Sequence, residues 1–278
     1  VIYLYDKRGR MAMSQDGNMR AKGEWMFYKY DELDRMVLTG FCTGNEDMHT
    51  AGLENDEVVN ETFKGGVDME EYFKRQAAGF LGEQYEEVAQ VFTGVFGYTA
   101  DAYPQMDDTA CYVSVVYYDG YEWSRFGVHQ LTYRNVLSGS YMWNPHGRVT
   151  GGKERVMEGE RITEKWLTTT KYYTTLGQPM LTVRDLYPQG REYVSSIYNM
   201  AGLKLQTRVS QEVEGKEVVY NRFFRYDDFG RLTDIEQEVE GDTRNGRVNI
   251  VSYGYDGDGN LATELIHNVA ELREFTYN

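Results

Sequence analysis

A six-residue unit, Tyr-Asp-x-x-Gly-Arg, recurs along the chain and limits what it can fold into. Its clearest copy is Tyr226-Asp227-Asp228-Phe229-Gly230-Arg231. Val218-Val219-Tyr220-Asn221-Arg222-Phe223-Phe224-Arg225 precedes it, rich in the β-branched and aromatic residues that fit a pleated surface. Leu232-Thr233-Asp234-Ile235-Glu236-Gln237-Glu238-Val239 follows, polar and apolar by turns. Asp can hydrogen-bond its own backbone in a turn, and Gly takes the positive φ that closes a hairpin. The unit therefore predicts strand, turn, strand.

Further copies stand at Tyr5-Asp6-Lys7-Arg8-Gly9-Arg10, Tyr30-Asp31-Glu32-Leu33-Asp34-Arg35 and Tyr255-Asp256-Gly257-Asp258-Gly259-Asn260. Looser ones begin at Tyr173 and Tyr198, and Met142-Trp143-Asn144-Pro145-His146-Gly147-Arg148 reads as a degenerate copy. Asp34 takes the glycine's place, and Asp is among the few residues that tolerate a left-handed conformation. Lone hairpins are marginal in water, so neighbouring ones must lie side by side and share a buried face. The prediction is an all-β chain: repeated β-hairpins forming a long, twisted, mostly antiparallel sheet. In it the motif Tyr packs on the next hairpin, while Arg10, Arg35 and Arg231 pair with a neighbouring turn's Asp.

Three segments follow from the pattern. Repeat units occupy residues 1–44, residues 45–110 form an insertion, and residues 111–278 return to the repeat sheet. Within the insertion, Asp68 as N-cap, Glu71 in capping-box register and Gly79 as a stop predict one short helix from about Met69 to Ala78. Phe275-Thr276-Tyr277-Asn278 reads as the start of another unit, and Val1-Ile2-Tyr3-Leu4-Tyr5 as a strand, so the sequence predicts an internal fragment of a longer protein.

Composition narrows the function. A net charge of -15 argues against DNA or RNA as partner, since phosphate binding relies on clustered Lys and Arg. No run approaches the length of apolar residues that a membrane helix requires. Cys42 and Cys111 have no metal-ligand spacing and read as buried thiols, with a disulfide as the rival. His49, His129, His146 and His267 form no zinc-binding pair. Asp256-Gly257-Asp258-Gly259-Asn260 opens like a calcium loop but carries Leu261 and His267 where that loop needs Gly and Glu. No nucleophile elbow or phosphate-binding glycine loop occurs. No cofactor, metal or catalytic group is expected.

Tyr-Asp-x-x-Gly-Arg followed by Leu or Met, in series, resembles the Rhs or YD-repeat family. Tyr5, Asp6, Gly9 and Arg10, with Tyr226, Asp227, Gly230 and Arg231, follow its motif most closely. Tyr30, Asp31 and Arg35 and Tyr255, Asp256 and Gly259 come next. Tyr28 to Gly40 and Trp166 to Gly177 look like the divergent Rhs-repeat proteins of Bacteroides-type bacteria. The resemblance implies a large secreted or cell-surface bacterial protein whose repeats form a β-shell around a C-terminal toxin, and it leaves 45–139 largely uncovered. The expected partners are then adjacent repeats of the same polypeptide and an enclosed toxin. The expected function is a non-enzymatic structural scaffold. A carbohydrate- or cell-surface-binding module is the alternative, because Trp25, Trp123, Trp143 and Trp166, each in or beside a predicted strand, could stack on sugars instead of packing in the core.

Overall fold

The computed structural model describes residues 1–6, 8–43, 95–99, 102, 104, 106, 108–125, 137, 141–159, 161–242, 246–266 and 271–276. The chain is all-β and its strands run β1 (Ile2–Tyr5), β2 (Met11–Gln15), β3 (Glu24–Tyr30), β4 (Met36–Thr43), β5 (Tyr112–Tyr118), β6 (Val149–Glu158), β7 (Arg161–Tyr173), β8 (Pro179–Asp185), β9 (Arg191–Tyr198), β10 (Lys204–Val213), β11 (Lys216–Tyr226), β12 (Leu232–Val239), β13 (Arg247–Tyr255), β14 (Leu261–Ile266) and β15 (Glu271–Glu274). Each strand is hydrogen-bonded to the next in sequence order. Pairing is antiparallel from β1 to β6 and again from β7 to β15. The predicted helix at 69–78 lies outside the described residues.

After Gln15 the chain forms a short helix, α1 (Gly17–Lys22). Asp16 caps it by accepting the Met19 N–H, and Gly23 ends it at φ 71°. Both signals were present in the sequence, but six residues are too few to show helical periodicity.

The chain divides into two compact units, one of residues 1–130 and 147–168, the other of residues 131–146 and 169–278. In the first, one sheet face carries Trp25, Phe27, Leu38, Tyr112, Val115 and Tyr117, all buried. Gly40 sits between Phe27 and Tyr112, whose rings meet edge-on at 5.3 Å; a Cβ at Gly40 would overlap Phe27 and the Cys111 carbonyl. Val95, Tyr98, Met106 and Trp123 belong to the same core, and Tyr117 lies flat between Tyr98 and Trp123 at 5.8 and 4.6 Å. Cys42 is buried and Cys111 half-buried, and neither is in a disulfide.

The second unit buries Tyr172, Leu181, Tyr193 and Ser195 on one face of β7–β9. Residues outside the strands help to cover it: the Leu137 N–H donates to Ser195 Oγ at 2.9 Å, and Tyr141 meets Tyr172 edge-on at 4.9 Å.

Candidate functional site

The repeat turns join β1–β2, β3–β4, β7–β8, β9–β10, β11–β12 and β13–β14, always an odd strand to the following even one. At each, the register slips by one residue beside the motif Tyr, which faces the residue six positions later: Tyr5 opposite Met11, Tyr30 opposite Met36, Tyr226 opposite Leu232 and Tyr255 opposite Leu261.

The turn closes through the second residue of the motif. Asp227 N–H donates to the Arg231 carbonyl, and Gly230 N–H to the Asp227 carbonyl. Asp227 Oδ1 accepts the N–H groups of Phe229 and Arg231 at 3.0 and 2.9 Å, and Oδ2 takes Arg231 Nε at 2.7 Å. Asp6 and Asp31 make the same three bonds to their own turns. Asn199 keeps the two backbone bonds and, facing Leu203 rather than Arg, has no ion pair to make; Thr174 with Gln178 and Asp256 with Asn260 are further variants. Desolvation works the other way, yet the Arg231 and Phe229 N–H groups and the Arg231 guanidinium hold the Asp227 carboxyl below the usual range. At Asp256 the Asn260 N–H is the main cause of the same shift.

Gly9, Gly230 and Gly259 stand at φ 78, 80 and 90°, and Asp34 at 62°. Asp34 is more than a tolerated substitute. Its carboxylate receives both Arg8 and Arg10 from the preceding turn at 2.6 Å, and these bonds, Arg8 first, lower its pKa.

Successive turns are tied by two contacts. Each odd strand pairs outward with the preceding hairpin, so its Tyr reaches back rather than forward as the sequence suggests. Tyr30, Tyr198, Tyr226 and Tyr255 donate to the carbonyls of Met11, Pro179, Lys204 and Leu232 at 2.8–2.9 Å. Burial raises the phenols of Tyr30, Tyr198 and Tyr226 above their ordinary value. Each even strand pairs outward with the following hairpin, so its Arg reaches forward. Arg10, Arg35 and Arg231 lie 4.7, 4.2 and 4.5 Å from the ring centres of Tyr30, Tyr118 and Tyr255. The expected pairing with a neighbouring Asp holds for Arg10 with Asp34 and Arg35 with Asp119. It does not hold for Arg231, whose ion pair is with its own Asp227 while its guanidinium covers Tyr255.

A turn that the sequence concealed joins β5 to β6. Tyr118 and Asp119 open it, and Gly147 and Arg148 close it: Asp119 N–H donates to the Arg148 carbonyl at 3.1 Å, Gly147 N–H to Asp119 Oδ1 at 2.6 Å, and Tyr118 faces Val149 across the slipped register. Gly147 has φ 74°, and Tyr118 reaches back to the Met36 carbonyl at 3.2 Å. Residues 142–148 are therefore not a degenerate copy of the motif. Their Gly-Arg is the second half of a copy whose Tyr-Asp lies at 118–119.

The four tryptophans part company. Trp25 is fully buried, Trp123 is 4% exposed and donates Nε1–H to Thr150, and Trp166 is half-buried against Phe96 and Arg155. Trp123 lies on a 3-10 turn and Trp143 on a bend, not on strands. Trp143 alone is exposed, at 56%, with Tyr141 at 6.0 Å. Among the described residues no three His, Cys, Asp or Glu side chains are placed to hold a metal ion, and no helix is long and apolar enough to cross a membrane. No protein-family model matches the chain, and no curated protein matches it significantly.

Proposed function

We propose that the chain is a non-enzymatic structural scaffold, a stretch of Rhs- or YD-repeat sheet from a bacterial secreted or cell-surface protein. The observation that supports it is the two-way tie between turns, in which Arg reaches forward to the ring of a Tyr that reaches back. In this reading the motif's Asp closes its own turn, while its Arg and Tyr hold one hairpin against the next. A shell of such hairpins would enclose a C-terminal toxin carried elsewhere in the polypeptide.

A double-mutant cycle on Arg231 and Tyr255 tests the tie. Arg231→Ala and Tyr255→Leu should couple by about 0.5–2 kcal/mol, the range of a cation–π contact. Additive effects would remove the support for a scaffold built on this ladder. Turnover of a polysaccharide or peptide, abolished by one carboxylate substitution, would replace the scaffold with an enzyme.

Trp143 favours a second reading, a carbohydrate- or cell-surface-binding module. Its exposed ring beside Tyr141 has the form of a stacking platform for sugar. Glycan-array binding that is lost in Trp143→Ala supports this reading, and binding that survives the change removes Trp143 from it.

A further inference from the structure

The outer strands of the second unit have two unlike faces. Residues directly opposite one another across a sheet share a face, so the registers sort them. One face of β10–β13 is polar: Arg225 pairs with Glu236 at 2.9 Å, Ser252 Oγ donates to Asp234 at 2.8 Å, and Arg247 covers Phe223 at 3.5 Å. The opposite face carries a continuous apolar row, Phe224 opposite Ile235, Ile235 opposite Val251 and Val251 opposite Ile266. On the same face Val213, Val218, Val239 and Val248 are 40, 54, 38 and 43% exposed. An antiparallel sheet with one wet face normally buries the other. Here Val209 and Val251 are buried within that face, while its end beside the β10–β11 and β12–β13 turns, with Val213, Val218, Val239 and Val248, is open.

The charges around that face select its partner. Among the described residues, the same face of β10–β13 bears Lys204, Lys216 and Arg222 and no Asp or Glu, in a chain whose net charge is -15. The nearest described acids on this face are Glu192 on β9, opposite Gln211, 3% exposed and paired with Arg184, and Glu264 on β14, paired with Arg273 at 3.4 Å. A second copy of the chain would bring the same three cations against themselves. We propose that the face of β10–β13 bearing Val218 and Val248 docks an acidic amphipathic helix of a partner protein, its apolar stripe on the valines and its carboxylates on Lys204, Lys216 and Arg222.

Two model helices serve as probes, one with Leu along one side and Glu elsewhere, the other with Lys in place of Glu. Titrated against the intact chain by fluorescence anisotropy, the Glu helix should bind at least roughly tenfold more tightly than the Lys helix, as expected where charge sets partner choice. Val218→Asp with Val248→Asp should abolish Glu-helix binding while circular dichroism stays unchanged, since both side chains are about half exposed. Lys216→Glu with Arg222→Glu should reverse the preference between the helices, which keeps the proposal testable if the valine variant misfolds. Equal affinity for the two helices, no binding of either, or binding indifferent to these substitutions overturns the proposal. So does a dimer in sedimentation equilibrium that Val218→Asp dissolves, because the face would then belong to a second copy.

Discussion

Asp31 offers the sharpest test of the turn chemistry, because it is only 7% exposed and its two oxygens do different jobs. Oδ1 accepts the N–H groups of Leu33 and Arg35 at 3.0 and 2.9 Å, and Oδ2 takes Arg35 Nε at 2.7 Å. Asp31→Ala removes all three bonds. Hydrogen bonds to a charged group contribute about 1.5–3 kcal/mol each. The total falls well short of three times that figure, since the two N–H groups can turn to water at a loop and Arg35 keeps Asp119 at 2.8 Å. A cost of roughly 3–4 kcal/mol follows. Asp31→Asn keeps an oxygen for both N–H groups and loses only the ion pair, setting an amide NH2 against Arg35, so it should cost about 1–2 kcal/mol. At about 2–4 °C per kcal/mol, the melting temperature should fall by roughly 6–16 °C for Ala and 2–8 °C for Asn. Tryptophan emission is the assay, because Trp25, Trp123 and Trp166 all lie in the unit that contains Asp31. Equal losses for Ala and Asn would refute the reasoning, since they would show that the backbone bonds to Oδ1 contribute nothing.

Gly230→Val should cost roughly 1–3 kcal/mol from backbone strain at φ 80°, because the added Cβ meets only Leu203 at an ordinary 3.6 Å; an unchanged melting temperature would contradict the turn. Gly40→Ala, at a position with no unusual φ, should destabilise the first unit as much or more, by roughly 1–3 kcal/mol or above, since its Cβ would overlap Phe27 and the Cys111 carbonyl; near-UV circular dichroism of the aromatic core reads this directly. Lys153 is 9% exposed beside Phe96, and burial lowers its pKa. The folded state therefore releases this proton at lower pH than the unfolded chain does, so stability should rise with pH between the folded pKa and 10.5. Lys153→Met should raise the melting temperature at neutral pH and flatten that rise, and a lower melting temperature with an unchanged pH profile would count against it.

What could be read in the sequence is local, and what could not is relational. The strand-turn-strand unit is visible because its bonds close within six residues: Asp227 to Phe229 and Arg231, Asp31 to Leu33 and Arg35. The direction of each tie depends on which strand lies on which side. The spacing of Tyr226 and Arg231 gives no hint that one points back to Lys204 and the other forward to Tyr255. Burial of the tryptophans is likewise set by register and cover. Trp25 and Trp166 occupy similar places before a turn, yet one is fully buried and the other half-buried. Trp143 is on a bend, where strand alternation has no say.

The split turn follows from the same bonding pattern. In Tyr226–Arg231 the side chains of the first, second and sixth positions and the glycine at the fifth close the hairpin and tie it to its neighbours, while the fourth position adds its backbone N–H. In the Tyr5 copy the fourth residue, Arg8, also ties its side chain to Asp34. In Tyr226–Arg231 the third and fourth side chains make no hydrogen bond to a neighbouring hairpin: Phe229 at the fourth position is 85% exposed, gives its backbone N–H to Asp227 and lies under the Arg231 guanidinium at 5.1 Å. Met200 at the third position of the Tyr198 copy is 94% exposed. These two positions are Glu and Leu in one copy, Met and Ala in another, and Asp and Phe in a third. By the same reasoning they can be exchanged for a far longer segment without opening the turn. That is the situation between Asp119 and Gly147, where residues 120–146 stand in the place of two and the Asp119 N–H still meets the Arg148 carbonyl. The halves of the motif, Tyr-Asp and Gly-Arg, recur with the same hairpin-closing bond, and in the β5–β6 turn they keep it although 27 residues separate them.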